Sequence, residues 1–148
     1  MYKINVGVLV EKDSKLLLIK QPRHDGELSW NLVRGELEPT KDIDLFATTK
    51  RIAKEQLNVS VELKSLENIL IARKSSGNVV QFDFVVETKD HLDKLDTRFI
   101  GKEELVDMGP LDFFNSSAYA SIHDWIEGKR VSLDLIENVT EQLPLGNK

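Results

Sequence analysis

The stretch from Asp42 to Leu57 constrains the fold most. Leu45, Ile52, Ala53 and Leu57 fall close to a 3.6-residue period, and Thr49 lies between them on the same face. A helix with one apolar face must bury it against another layer, and the flanking sequence supplies that layer. Residues 2–11 alternate with a period of two, placing Ile4, Val6, Val8 and Val10 together. Lys12-Asp13-Ser14 has turn chemistry, and Lys15–Ile19 returns as the partner strand of a hairpin. Lys20–Ser29 is a polar loop, Trp30-Asn31-Leu32 is a short extended piece, and Gly35–Lys41 is irregular, since Pro39 opposes a helix.

After the helix, Asn58 suits a left-handed stop. Val59–Leu63 and Asn68–Ala72 read as two strands, Ser75–Asn78 as a turn, and Val79–Glu87 as the second arm of a hairpin. Thr88–Thr97 is a polar connection, Phe99-Ile100 a short strand and Lys102–Val106 a helical turn opened by Glu103 and Glu104. Phe113–Glu127 predicts an amphipathic helix capped by Asp112 and stopped by Gly128, with Phe113, Phe114, Tyr119, Ile122 and Trp125 as core. Leu133, Leu135, Ile136 and Val139 suggest a short helical extension from about residue 129. The order of strands, helix, strands and helix, without repeats, predicts one α/β domain over residues 1–148, a mixed sheet with helices on its faces.

Composition removes several function classes. The 148 residues carry a formal net charge of −5, which argues against bulk nucleic-acid binding and against attraction to anionic membranes. There are no cysteines, so disulfides, thiol catalysis and cysteine-ligated zinc are excluded. The N-terminal MYKINVGVLVEKD is neither a secretory signal nor a membrane span, and a cytoplasmic location is expected. On that expectation the glycosylation-type triplets at Asn115 and Asn138 are chance. His24, His91 and His123 lack metal-ligand spacing.

Segment 30–59, WNLVRGELEPTKDIDLFATTKRIAKEQLNV, resembles the Nudix family, in which a Trp precedes a Pro-Gly-Gly turn, a Glu-bearing loop and a helix rich in glutamate. Trp30, Gly35, Glu38, Arg51, Ala53, Glu55, Leu57 and Val59 match that pattern. The surrounding order, from VGVLVEKDSKLLLIKQ to FIGKEEL, extends the resemblance over roughly residues 4–127. It implies a Nudix-type α/β/α sandwich with a mixed β-sheet and Mg²⁺-dependent hydrolysis of a nucleoside diphosphate-linked or related diphosphate substrate. The departures are chemical. Val33-Arg34 replace the Pro-Gly before Gly35, Ile52 and Gln56 replace two glutamates, Asn58 replaces a glycine, and two extra residues separate Gly35 from Arg51. By spacing, a further box glutamate becomes Lys41, or Asp42 or Asp44 if the insertion falls earlier.

Mg²⁺ prefers oxygen ligands, and positions 52, 55 and 56 of a helix share a face. Here that face reads Ile, Glu, Gln. The resemblance therefore implies a metal set of Glu55, Glu38 and Gln56, weak for Mg²⁺ without a phosphate, and catalytic positions at Glu55, Arg51 and Asp96. Glu55 reads equally as an ordinary partner of Arg51 four residues earlier, worth about 0.2–0.5 kcal/mol. Ile52 reads as added core. Arg23, Arg34 and Arg73 suit phosphate contacts or a solvated surface, and Trp30 suits a stacked base or a pocket wall. Two function classes follow: a hydrolase with impaired standard catalysis, or a non-catalytic Nudix module binding a nucleotide-like ligand or a protein. The expected partner is a small-molecule nucleotide or diphosphate, with a homodimer left open.

Overall fold

The computed structural model describes residues 2–137. Seven strands form a mixed sheet: β1 (Tyr2–Lys12), β2 (Lys15–Pro22), β3 (Leu28–Asn31), β4 (Val33–Glu36), β5 (Glu62–Lys74), β6 (Gly77–Glu87) and β7 (Thr97–Gly101). The helices are α1 (Leu45–Leu57), α2 (Lys102–Val106) and α3 (Ser116–Ile126). Their arrangement is the mixed α/β sandwich expected from the sequence.

Strand β1 is the organising element. It runs parallel to β6 from Tyr2↔Asn78 to Val10↔Val86 and antiparallel to β4 from Asn5↔Glu36 to Val8↔Val33. Only its last residues, Glu11 and Lys12, pair with β2, which also carries β3 and β7. The sheet therefore divides, and Leu32 alone joins β3 in one half to β4 in the other. Alternation sorts the core into two layers. Val6, Val8, Val10, Val33, Phe84 and Val86 pack with Ile52, Ala53 and Leu57 of α1. Leu9, Leu16, Leu18, Val85 and Ile100 pack with Phe113, Ile122 and Trp125 on the α3 side.

Several boundaries differ from the sequence reading for identifiable reasons. Helix α1 begins after Asp44, whose carboxylate accepts the Ala47 N–H at 2.8 Å, so Asp42 lies in the preceding turn. Asn58 ends α1 at φ 55°, as its chemistry suggested. Residues 62–74 form one strand rather than two, because irregularities between Leu63 and Ser65 and between Leu66 and Asn68 absorb the break in alternation. Helix α3 is capped by Asn115 rather than Asp112, leaving Phe113 buried ahead of it. The extension contains a 3₁₀ turn at Leu133–Leu135, and Val139 lies outside the described residues.

The irregularity at Leu66/Asn68 places an acid in the α3 layer. Glu67 is 2% exposed, and neither carboxylate oxygen has a hydrogen-bond partner among the described residues. Arg130 Nη1 stands 3.6 Å away, and Lys129 pairs with Asp124 beside it. Burial pushes Glu67 up to about 9, with Asp83 and Asp124 adding to the rise and Arg130 and Lys129 opposing it. Asp83, fully buried, is raised to about 6 by burial, against hydrogen bonds from Ser121 and Gln81. A carboxyl that holds its proton more tightly when folded favours the fold below its unfolded pKa. That contribution is lost as pH rises toward the folded value. Glu67→Gln, a mimic of the protonated acid, should match the native protein near pH 4 and melt roughly 2–10 °C higher at pH 8. Melting curves across that window check it, and an equal offset at both pH values would contradict the assignment.

Candidate functional site

The loop before α1 and the first turns of α1 are drawn together by one guanidinium. Arg51 Nε and Nη2 donate to the two oxygens of Asp42 at 2.8 and 2.9 Å, and Nη2 also reaches the Glu36 carbonyl at 2.8 Å. Its Nη1 donates to Glu55 at 3.1 Å and lies 3.7 Å from Glu38. Asp42, whose side chain is 1% exposed, also accepts the Glu38 N–H and the Thr48 hydroxyl, both at 3.0 Å. The Arg51 hydrogen bonds outweigh burial and hold Asp42 far below the usual carboxylate range, while Asp42 raises Arg51 in return. The fork geometry of arginine suits this bidentate contact. Lys94 of the 88–96 loop donates to the Gln56 carbonyl, tying that loop to the end of α1.

The expected metal positions are thus distributed as follows. Ile52 is buried, and its Cδ1 fills the space above Gly35, where a Cβ would approach it to 2.1 Å. Gln56 donates its amide to the Arg34 carbonyl at 2.7 Å. Glu55 is half exposed and lines a shallow groove with Gln56, Asn58, His91, Asp93 and Lys94. Glu38 bonds to Lys41 at 3.1 Å as well as facing Arg51. Asp96 is exposed at φ 65°, its carbonyl accepting the Lys20 N–H, and its side chain has no partner among the described residues. Glu38, Asp42 and Glu55 converge on Arg51. Among the described residues, no group of three or more acids or histidines is disposed to hold a metal ion.

Three of the four expected ligand residues gather around the strap Leu111–Phe114, on the α3 side of the sheet. Arg23 donates to the Leu111 carbonyl and pairs with Asp25 at 3.0 Å. The Trp30 carbonyl accepts the Phe114 N–H at 2.8 Å, and Lys20 lies 5.4 Å from the Trp30 ring. Arg34 lies 5.4 Å from the Phe114 ring. Arg73 is elsewhere, on a groove between the end of β5 and the start of α3. Sequence reasoning missed Asp42 as the main partner of Arg51, although it considered Asp42 as a displaced box acid, and missed Phe114 as the surface beneath Arg34. The nine-residue separation of Asp42 and Arg51 belongs to no helical pairing rule, so only the folded turn reveals it.

Because Asp42 is almost wholly enclosed, removing it takes the bidentate partner from the partly buried Arg51 and the acceptor from the Glu38 N–H. Asp42→Ala should cost about 3–5 kcal/mol, whereas Glu55→Ala, at an exposed pair, should cost under about 1 kcal/mol. The native advantage is present above the ordinary aspartate pKa and lost as pH falls below it, since the folded value is depressed. Urea unfolding at pH 7 and pH 2 measures both. Equal losses for the two variants at pH 7 would refute the ranking.

No protein-family model matches the chain, and no curated protein matches it in sequence. Solved structures do match its backbone. A NUDIX hydrolase from Nitrosomonas europaea superposes with TM-score 0.75 at 20% identity, covering 93% of this chain and 97% of that one. An ADP-ribose pyrophosphatase from Streptococcus suis gives 0.61 at 19% identity, over 87% and 92%. The C. elegans Ap4A hydrolase gives 0.64 at 11% identity, over 86% and 98%. The backbone therefore has the fold of these Nudix hydrolase structures.

Proposed function

We propose that this protein is a Nudix-fold module that binds a nucleotide-type diphosphate and does not carry out Mg²⁺-dependent hydrolysis. The observation that carries the reading is the face of α1, where Ile52 is packed onto Gly35 and Glu55 is bonded to Arg51. Hydrolysis of a phosphoanhydride requires the phosphate charge to be offset and a water to be activated. A magnesium ion bound here would supply that charge and a polarised water, but the donors do not fit it. A hard divalent ion takes carboxylate and carbonyl oxygens. Ile52 offers none, Gln56 directs its amide to the Arg34 carbonyl, and Glu38, Asp42 and Glu55 are already engaged by Arg51 or Lys41. The fold neighbours named for ADP-ribose and Ap4A share the chemistry of a nucleotide joined through phosphates, which supports the ligand class.

A hydrolase reading is supported by the hydrolase names of the fold neighbours and by one further observation. The Asp96 side chain, without a partner among the described residues, ends a loop fastened to α1 through Lys94. The two readings separate on turnover of ADP-ribose and Ap4A with Mg²⁺. The native protein should stay at background, and so should Glu55→Gln. Turnover that falls about 10²–10⁴-fold in Glu55→Gln or Asp96→Asn would establish the hydrolase instead.

Rebuilding the missing carboxylates tests the geometry itself. Ile52→Glu with Gln56→Glu should lower stability, because a buried carboxylate replaces core. Mg²⁺ should then raise the melting temperature of the double variant while leaving the native protein unchanged. A folded double variant whose melting ignores Mg²⁺ would mean that positions 52, 55 and 56 do not converge on one site.

A further inference from the structure

Strand alternation sends Val33 and Gly35 of β4 to the α1 face and Arg34 to the α3 face. The Arg34 side chain thus stands on the face of β4 away from α1, against Phe114. Its position is fixed by pairing with Gly7 of β1 and by the Gln56 amide on its own carbonyl. Its guanidinium is half-buried and spread over Phe114, yet no carboxylate or carbonyl among the described residues accepts from it.

The other arginines differ. Arg23, Arg51, Arg98 and Arg130 each have a carboxylate partner, and Arg73, which has none among the described residues, is exposed. Asp83 is the carboxylate whose charge Arg34 feels, but its oxygens are occupied by Gln81 and Ser121. A guanidinium drawn partly out of water with its hydrogen bonds unmade is costly alone and well placed for an oxyanion. Its planar fork matches two oxygens of one phosphate.

We propose that Arg34, seated over Phe114, binds the diphosphate of the ligand directly and without a metal ion. The assignment of a diphosphate, among oxyanions, rests on the functional reading above. The charge that a cation would place beside the α1 face is then supplied from the opposite face of β4 by a group that needs no cation. The Arg34 guanidinium lies 5.4 Å from the Phe114 ring, and the Phe114 N–H bond to the Trp30 carbonyl fixes the strap that carries that ring.

The test is a titration of ¹⁵N-labelled protein with pyrophosphate in excess EDTA, following the arginine Nε–Hε resonances. The Arg34 signal, identified by its loss in Arg34→Lys, should shift saturably. Calorimetry should show pyrophosphate and ADP-ribose weakened by roughly tenfold or more in Arg34→Ala. The loss should be smaller in Arg34→Lys, which keeps charge but not the fork, and absent in Arg73→Ala. An Arg34 signal unmoved by saturating pyrophosphate overturns the proposal, and so does equal ADP-ribose affinity in native protein and Arg34→Ala, an outcome that leaves the nucleotide-binding reading standing. Pyrophosphate engaging Arg34 while ADP-ribose fails to bind would uphold the proposal and end the nucleotide reading. The spectra of the native protein decide the matter even where Arg34→Ala does not fold.

Discussion

The bidentate contact between Arg51 and Asp42 is the interaction on which the α1 side of the molecule depends. It joins the second turn of α1 to the loop that leaves β4, and the same guanidinium holds the Glu36 carbonyl at the strand's end. That loop spans Leu37 to Asp44, with Pro39 near its start, and carries polar groups that the sheet does not satisfy. Asp42 accepts from the Glu38 N–H and from Thr48, so a single carboxylate satisfies donors from the loop, the helix and the arginine. An enclosed acid with four such bonds is stable only as the anion, which is why its pKa is depressed despite burial.

The clamp also decides what the helix face can do. With Arg51 extended toward the loop, Glu38 and Glu55 become outer partners of one cation. Carboxylates shared around a guanidinium are held toward it, and on the proposed reading a divalent ion would compete with Arg51 for them. Ile52 reinforces the arrangement from beneath. The absence of a Cβ at Gly35 lets β4 approach the helix, and Ile52 fills that contact with a branched apolar side chain. At this position a branched apolar side chain adds core where an acid would offer a ligand, which on the proposed reading favours stability over metal chemistry.

The parts of this fold that were legible from sequence are those governed by period and cap chemistry. The stripe through Ile52, Ala53 and Leu57, the Asn58 stop, the alternation of β1 and the Arg51–Glu55 pair all follow from local rules. What escaped is non-local. The split of the sheet at Leu32 depends on β3 and β4 choosing different partners. The fused β5 depends on irregularities that hide its alternation, and the cap of α3 depends on Phe113 preferring the core to the helix. For the site, residue identities were readable but not their engagement. Arg23, Arg34 and Arg73 are equivalent as letters, and only packing makes the first a strut, the second an unpaired guanidinium and the third a surface charge.

The two faces of β4 then explain each other. Gly35 faces α1 and has to be small because Ile52 is there; Arg34 faces α3 and lies over Phe114, two residues after the pairing changes at Leu32. Gln56 spans the two sides, since its amide holds the Arg34 carbonyl while its own carbonyl holds Lys94. A glutamate at 56 would present only acceptors to the Arg34 carbonyl and break that link. The amide at 56 therefore has a structural task of its own: it fixes the strand carrying Arg34, so on the proposed reading the same residue that offers the helix face no acid also steadies the guanidinium on the other side.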